Sequence, residues 1–195
     1  MALLDRFVQR PPLPVLRGTK VWLRQPQVSD WEPWAKLRDE SRAFLTPWEP
    51  AWPLDALSQT AYRQRQRRQL QDARDDLSYA FFIFGQERGE LLGGITLANV
   101  RRSVVQSASV GYWIGERHAR RGFMRDALAI IVRHSFDDLR LHRLEAACLP
   151  TNQASLGVLR SCGFRDEGYA RKYLCINGVW QDHVLLALLA SDPRG

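Results

Sequence analysis

The sequence predicts a mixed α/β fold. Seven β-type apolar runs outnumber four helical stretches, several runs follow one another through short turns, and only two long helical crossovers come after the third run. Arg10-Pro11-Pro12-Leu13-Pro14 is an extended lead-in, and Val21–Arg24 is a first strand closed by Pro26. Ser29-Asp30 caps a helix with Trp31, Trp34, Ala35 and Leu37 near helical spacing. Thr46 to Pro53 then holds three prolines and two tryptophans, a rigid aromatic loop.

A second helix is expected over Leu54–Ala73, with a solvated middle because nothing apolar lies between Arg63 and Gln69. Strands follow at Ala80–Phe84 and Leu91–Leu97 around a turn at Glu87-Arg88-Gly89-Glu90, and then at Ser107–Gly115. The next helix, Gly122–Leu139, buries a stripe of Phe123, Ala127, Ile130, Ile131 and His134. Arg143–Leu149 is a strand and Asn152–Cys162 a short helix with Gly163 past its end. Asn177-Gly178 joins Tyr169–Ile176 to Val179–Leu189 as a hairpin, because both central turn positions need positive φ. With no repeat or linker, residues 1–195 read as one domain, with 1–18 an extended lead-in and 191–195 a frayed tail.

The 195 residues, 45% hydrophobic and 25% charged, exclude a disordered or fibrous chain. Cys148, Cys162 and Cys175 are odd in number and form no C-x-x-C pair, which reads as reduced core thiols and a cytoplasmic setting. Met1 to Val8, carrying Asp5 and Arg6, is too brief for a signal peptide. The longest apolar run, Val184 to Ala190, is seven residues, too short for a membrane span. The four histidines show no zinc spacing, so no metal is expected. A balance of 28 Lys+Arg against 21 Asp+Glu favours an acidic ligand or an RNA-rich partner.

Residues 107–127 carry the chemistry. An apolar strand feeds an Arg/Gly loop that opens a helix, aiming unpaired N–H groups, the positive helix end and Arg117, Arg120 and Arg121 at one point, an arrangement suited to a pyrophosphate. A solvated basic loop is the alternative, and Gly122 with the preceding strand argues against it.

These residues resemble a known family. Leu45-Thr46-Pro47-Trp48-Glu49-Pro50, Tyr112-Trp113-Ile114-Gly115, Gly122-Phe123-Met124 with Ala127-Leu128, His142-Arg143, Pro150 to Ser155, Cys162-Gly163-Phe164, Glu167 to Ala170, and Asn177-Gly178 with Trp180 and Asp182 stand in the order found in the GNAT (Gcn5-related) N-acetyltransferases. Within that family the resemblance is to the RimJ-like ribosomal-protein-alanine branch. It implies the GNAT acyl-CoA N-acyltransferase fold: a mostly antiparallel sheet of about seven strands, flanked by about four helices, whose central parallel pair splays apart. That pair falls on Ser107–Gly115 and Arg143–Leu149. Acetyl-CoA is the implied donor, its arm pairing with backbone near Trp113 and Ile114, its phosphates on Arg117 to Gly122, and Phe123, Met124 and Asn152 beside it. Where the family has its first loop glycine this chain has Arg120, so positive φ there carries a cost.

The implied reaction is transfer of acetyl to the N-terminal α-amine of a protein, ribosomal by the resemblance, in a ternary complex. An α-amine of pKa about 7.7–8.0 is unprotonated in roughly one molecule in ten at pH 7, against a few in ten thousand for lysine. The base is Glu145, which shares a strand face with Ala147, or Glu49 in the Trp48/Pro50 loop, or a water chain. An ion pair at the sheet edge is the alternative for Glu145, and a capping or solvent role for Glu49. Leu159 stands where many family members have an acidic tyrosine; Ser155 resembles the hydroxyl that protonates the thiolate in the ribosomal branch. Residue chemistry alone reads Asn152 as a helix cap and Ser155 as a first-turn polar residue. A small-molecule amine acceptor is the main rival reading. A non-catalytic module docking on ribosomes or RNA through Arg63, Arg65, Arg67, Arg68 and Arg74 is the other; those arginines more often form a solvated face.

Overall fold

A computed structural model describes residues 13–193. The reading of Met1–Val8, the start of the lead-in and the last two residues of the tail lie outside them. Eight strands form one sheet in the order β1-β2-β3-β4-β5-β6-β8-β7. They are β1 (Leu16–Arg17), β2 (Val21–Arg24), β3 (Tyr79–Gly85), β4 (Leu91–Arg101), β5 (Ser107–Ile114), β6 (Arg143–Cys148), β7 (Arg165–Ile176) and β8 (Val179–Leu189). Every pairing is antiparallel except β5 with β6.

The helices are α1 (Trp31–Glu40), α2 (Arg42–Leu45), α3 (Gln59–Arg74), α4 (Phe123–Arg133) and α5 (Gln153–Ser161). Strand β3 is buried along its whole length because both sheet faces are covered. Tyr79, Phe81 and Ile83 join the large core with α4 and α5, while Phe82 and Phe84 pack with Trp34 and Leu37 of α1 and Tyr62 of α3. The hairpin forms as expected: Asn177 and Gly178 have φ of +46° and +79° and join the Ile176–Val179 pair.

Some expectations need correction. The sheet gains an eighth strand inside the lead-in, where Leu16 and Arg17 pair with Leu23 and Trp22; two residues are too few to show a periodicity. A fifth helix, α2, is a single turn. The second helix starts at Gln59 and not at Leu54, since Ser58 takes the cap and accepts from the Ala61 N–H at 3.1 Å. The long fourth helix ends at Arg133 and widens into a π-helical turn over His134–Asp138, where Ser135 Oγ donates to the Ile131 carbonyl at 2.7 Å. Start of the tail is anchored: the Asp192 carboxylate accepts from Leu189 N–H at 2.9 Å. Cys175 is exposed, unlike Cys148 and Cys162.

One carboxylate ties the edge hairpin to α4. Asp126 accepts from the backbone N–H groups of Thr19, Lys20 and Val21 at 3.4, 2.7 and 3.0 Å, and from the Thr19 hydroxyl at 3.1 Å. Asp126→Ala is expected to lower stability by about 2 kcal/mol, the scale for hydrogen bonds to a charged group, seen as a lower urea midpoint at unchanged slope.

Candidate active site

Strands β5 and β6 pair only from Ser107↔Arg143 to Ser109↔Glu145. Beyond that point β5 keeps its bonds to β4, and β6 keeps its bonds to β8, but the two strands no longer bond to each other. A cleft of about 580 Å3 occupies the gap, with Val110–Ile114 on one side and Ala146–Leu149 on the other. The facing main-chain groups of β5 offer a strand edge to any extended ligand carrying amides.

One end of the cleft is formed by the loop that opens α4. Arg120 has φ +61° and Gly122 φ +79°, flanking Arg121. Alternation of this kind can turn successive N–H groups inward, an arrangement suited to an anion at the positive end of α4. Arg120 occupies the left-handed region without being glycine, a strain of about 1–2 kcal/mol. Lys20 Nζ donates to the Arg121 carbonyl at 3.3 Å, adding a cation beside the loop.

Ser155 lies at the other end, in the first turn of α5. Asn152 caps that helix, its Oδ1 accepting from the Ser155 N–H at 3.0 Å. The Ser155 hydroxyl lies 3.0 Å from the Tyr112 hydroxyl. Burial pushes the Tyr112 phenol well above its usual range, so it stays protonated and can donate. Burial likewise raises the Cys148 thiol, whose Sγ lies 3.7 Å from the Asn152 carbonyl. His118, also lining the cleft, is held below the ordinary histidine range by burial and then by Arg117, whose Nε–H donates to His118 Nε2 at 3.0 Å.

Of the residues expected from sequence, Glu49, Trp113, Ile114, Arg120, Arg121, Gly122, Phe123, Met124, Asn152 and Ser155 line the cleft. Arg117 does not: its guanidinium turns to Glu40 at 3.1 Å. Glu145 does not either. It is engaged by Arg101 and, at 3.0 Å, by Arg143, because strand alternation sends Leu144, Ala146 and Cys148 into the core and Glu145 to the other face. Tyr112 and Cys148 have places in the cleft that sequence reasoning missed. Period-2 alternation put Tyr112 opposite Trp113, but not beside any particular helix.

A second cavity of about 340 Å3 lies between the β3–β4 surface and the helices α1 and α3. Glu49 and Trp113 line both cavities. Glu49 is fixed by a two-bond pair with Arg38, at 2.8 and 2.6 Å, and by Trp52 Nε1 at 2.9 Å. Arg38 itself lies over the rings of Trp52 and Trp113, at 4.1 and 4.9 Å. The Asn177 N–H of the hairpin tip donates to the Glu49 carbonyl at 3.1 Å, closing this loop against the sheet. Among the described residues no group of three or more His, Cys, Asp or Glu is placed to hold a metal, and no helix is long and apolar enough to cross a membrane.

Known proteins share this architecture. The Escherichia coli [ribosomal protein uS5]-alanine N-acetyltransferase is 32% identical over 189 residues, 95% of this chain and 97% of that protein. The Bacillus subtilis protein YjcK, named as a probable N-acetyltransferase, is 34% identical over 180 residues, 92% of this chain and 99% of its own length. The solved structure of Mycobacterium smegmatis RimJ in complex with CoA-disulfide superposes with a TM-score of 0.84 at 33% identity, covering 94% of this chain and 89% of that one. The family model described as an acetyltransferase (GNAT) domain matches residues 20–165, three-quarters of the chain, and with the splayed strands and the anion loop in place, this protein belongs to the GNAT acetyltransferase family.

Proposed function

We propose that this chain transfers acetyl from acetyl-CoA to the N-terminal α-amine of a protein, a ribosomal protein by its likeness to the uS5-alanine enzyme, in the cytoplasm. The observation that carries the reading is a pair of cavities that share Glu49 and Trp113 in their walls. One is a long cleft with an anion loop at its far end; the other is an aromatic chamber.

The thioester supplies an activated acetyl group. The chain's part is to position, polarise and move protons. Backbone N–H groups of Arg120 to Gly122 take the phosphates, and the open edge of β5 holds the arm. Glu49, its carboxylate oriented by Arg38, receives the acceptor's ammonium and draws off its proton. Both carboxylates are engaged by arginines, and we assign this role to Glu49 over Glu145 because Glu49 lines both cavities and Glu145 neither. Attack forms the amide C–N bond and breaks the C–S bond. Ser155 protonates the leaving thiolate and regains a proton from the acylated nitrogen by way of solvent, while Tyr112, which stays protonated, holds the Ser155 hydroxyl at 3.0 Å. Arg117 acts through Glu40 and His118, holding the loop's approach.

The test is incubation with acetyl-CoA and peptides bearing a free N-terminus, the same peptides N-terminally blocked but containing lysine, and small polyamines, read by mass spectrometry. Acetyl is expected on the α-nitrogen of the free peptides. Modification of polyamines alone would replace the acceptor while leaving the donor site; no acetyl-CoA binding by calorimetry would overturn the enzyme reading.

A further inference from the structure

The second cavity has a charge imbalance. Among the described residues, the charged side chains lining it are Arg38, Glu49 and Arg65. Arg38 and Glu49 satisfy each other through two hydrogen bonds, which leaves Arg65 as a net positive charge on the wall. No described carboxylate lies within ion-pair distance of Arg65; its guanidinium stands over the Trp34 ring at 4.7 Å. Burial and then the neighbouring Arg38 lower its pKa, against a smaller opposing pull from Glu49. Arg38 adds a second unmet demand, because its buried Nε–H has no hydrogen-bond acceptor. Trp34, Trp52, Tyr62 and Trp113 line the same cavity, so an aromatic wall stands beside these groups.

We infer that this chamber is an anion-selecting acceptor subsite, in which Arg65, assisted by Arg38, binds a carboxylate carried by the acceptor close to its reacting amine. The inference deepens the proposed acetyl transfer and rests on it. The carboxylate has two sources: an Asp or Glu side chain near a protein's N-terminus, or the free α-carboxylate of a small amino compound. Arg63, Arg65, Arg67 and Arg68 of α3 are all exposed, but of the four only Arg65 lines a cavity. That position, not the run's overall charge, singles it out.

The experiment measures kcat/KM with two matched sets of acceptors. The first is free-N-terminus hexapeptides identical except for Glu or Gln at positions two, three or four. The second is dipeptides with a free or an amidated C-terminus. The carboxylate member is expected to be preferred by about tenfold or more in the set that turns over, the low end for a hydrogen bond between charged groups. In Arg65→Met the preference falls to within about twofold through a higher KM for the carboxylate member, with kcat little changed; Arg65→Lys regains part of it. Acetyl-CoA affinity of each variant, measured by calorimetry, reports that the fold and the donor cleft are intact.

Preference in the peptide set assigns the carboxylate to a protein side chain, and preference in the dipeptide set to a small amino compound. Equal kcat/KM within both sets, or a preference that survives in Arg65→Met, overturns the inference. Turnover of neither set, with acetyl-CoA bound, is the separate failure of the acceptor reading on which it rests, and removes the inference with it.

Discussion

Ser155→Ala is expected to lower kcat by about 100-fold while leaving acetyl-CoA affinity within about twofold, the lower range for loss of a general acid. The substitution removes one hydroxyl in the first turn of α5. The backbone N–H of residue 155 remains, so Asn152 still caps the helix and the fold loses little. Two groups lose their partner: the leaving thiolate and the Tyr112 hydroxyl. Tyr112→Phe, which keeps Ser155 but removes the hydroxyl that holds it in place, should cost less. Single-turnover kinetics separate the chemical step from binding, and an unchanged rate of acetyl transfer in Ser155→Ala would remove the assigned role.

Gly122→Val should weaken acetyl-CoA binding by tenfold or more in calorimetry. At φ +79° a β-branched residue is strained whatever the space around it, and here its Cβ would also meet Lys20 Nζ at 3.2 Å. The chain can escape only by leaving the left-handed region. That turns the N–H groups of the loop away from the anion site and shifts the start of α4. Stability should fall less than affinity, because the buried stripe of α4 (Ala127, Leu128, Ile130, Ile131) lies outside the loop. Unchanged affinity would count against the loop as the phosphate site.

Much of this was legible in the chain. The final hairpin was, because Asn-Gly favours a turn that forces its register. So were α4, with its clear apolar stripe, and the strand-to-loop-to-helix passage ending at Gly122. Features set by single side chains were not. The π turn over His134–Asp138, where Ser135 Oγ donates to the Ile131 carbonyl, has no periodic signature. The bidentate pair between Arg38 and Glu49 forms across a proline-rich loop whose path cannot be computed from spacing. Tyr112 and Ser155 are separated by 43 positions and meet only because α5 packs over the β5–β6 gap. Alternation did say that Glu145 and Ala147 share a face. It could not say that arginines from two strands would occupy that glutamate.

The meeting of two cavities at Glu49 and Trp113 also shapes how the family member can diversify. Apart from that shared boundary the two walls are built of different residues, so each compartment can be remodelled alone. Changes confined to the aromatic room could retarget the catalyst to a new amine while its donor berth stayed intact.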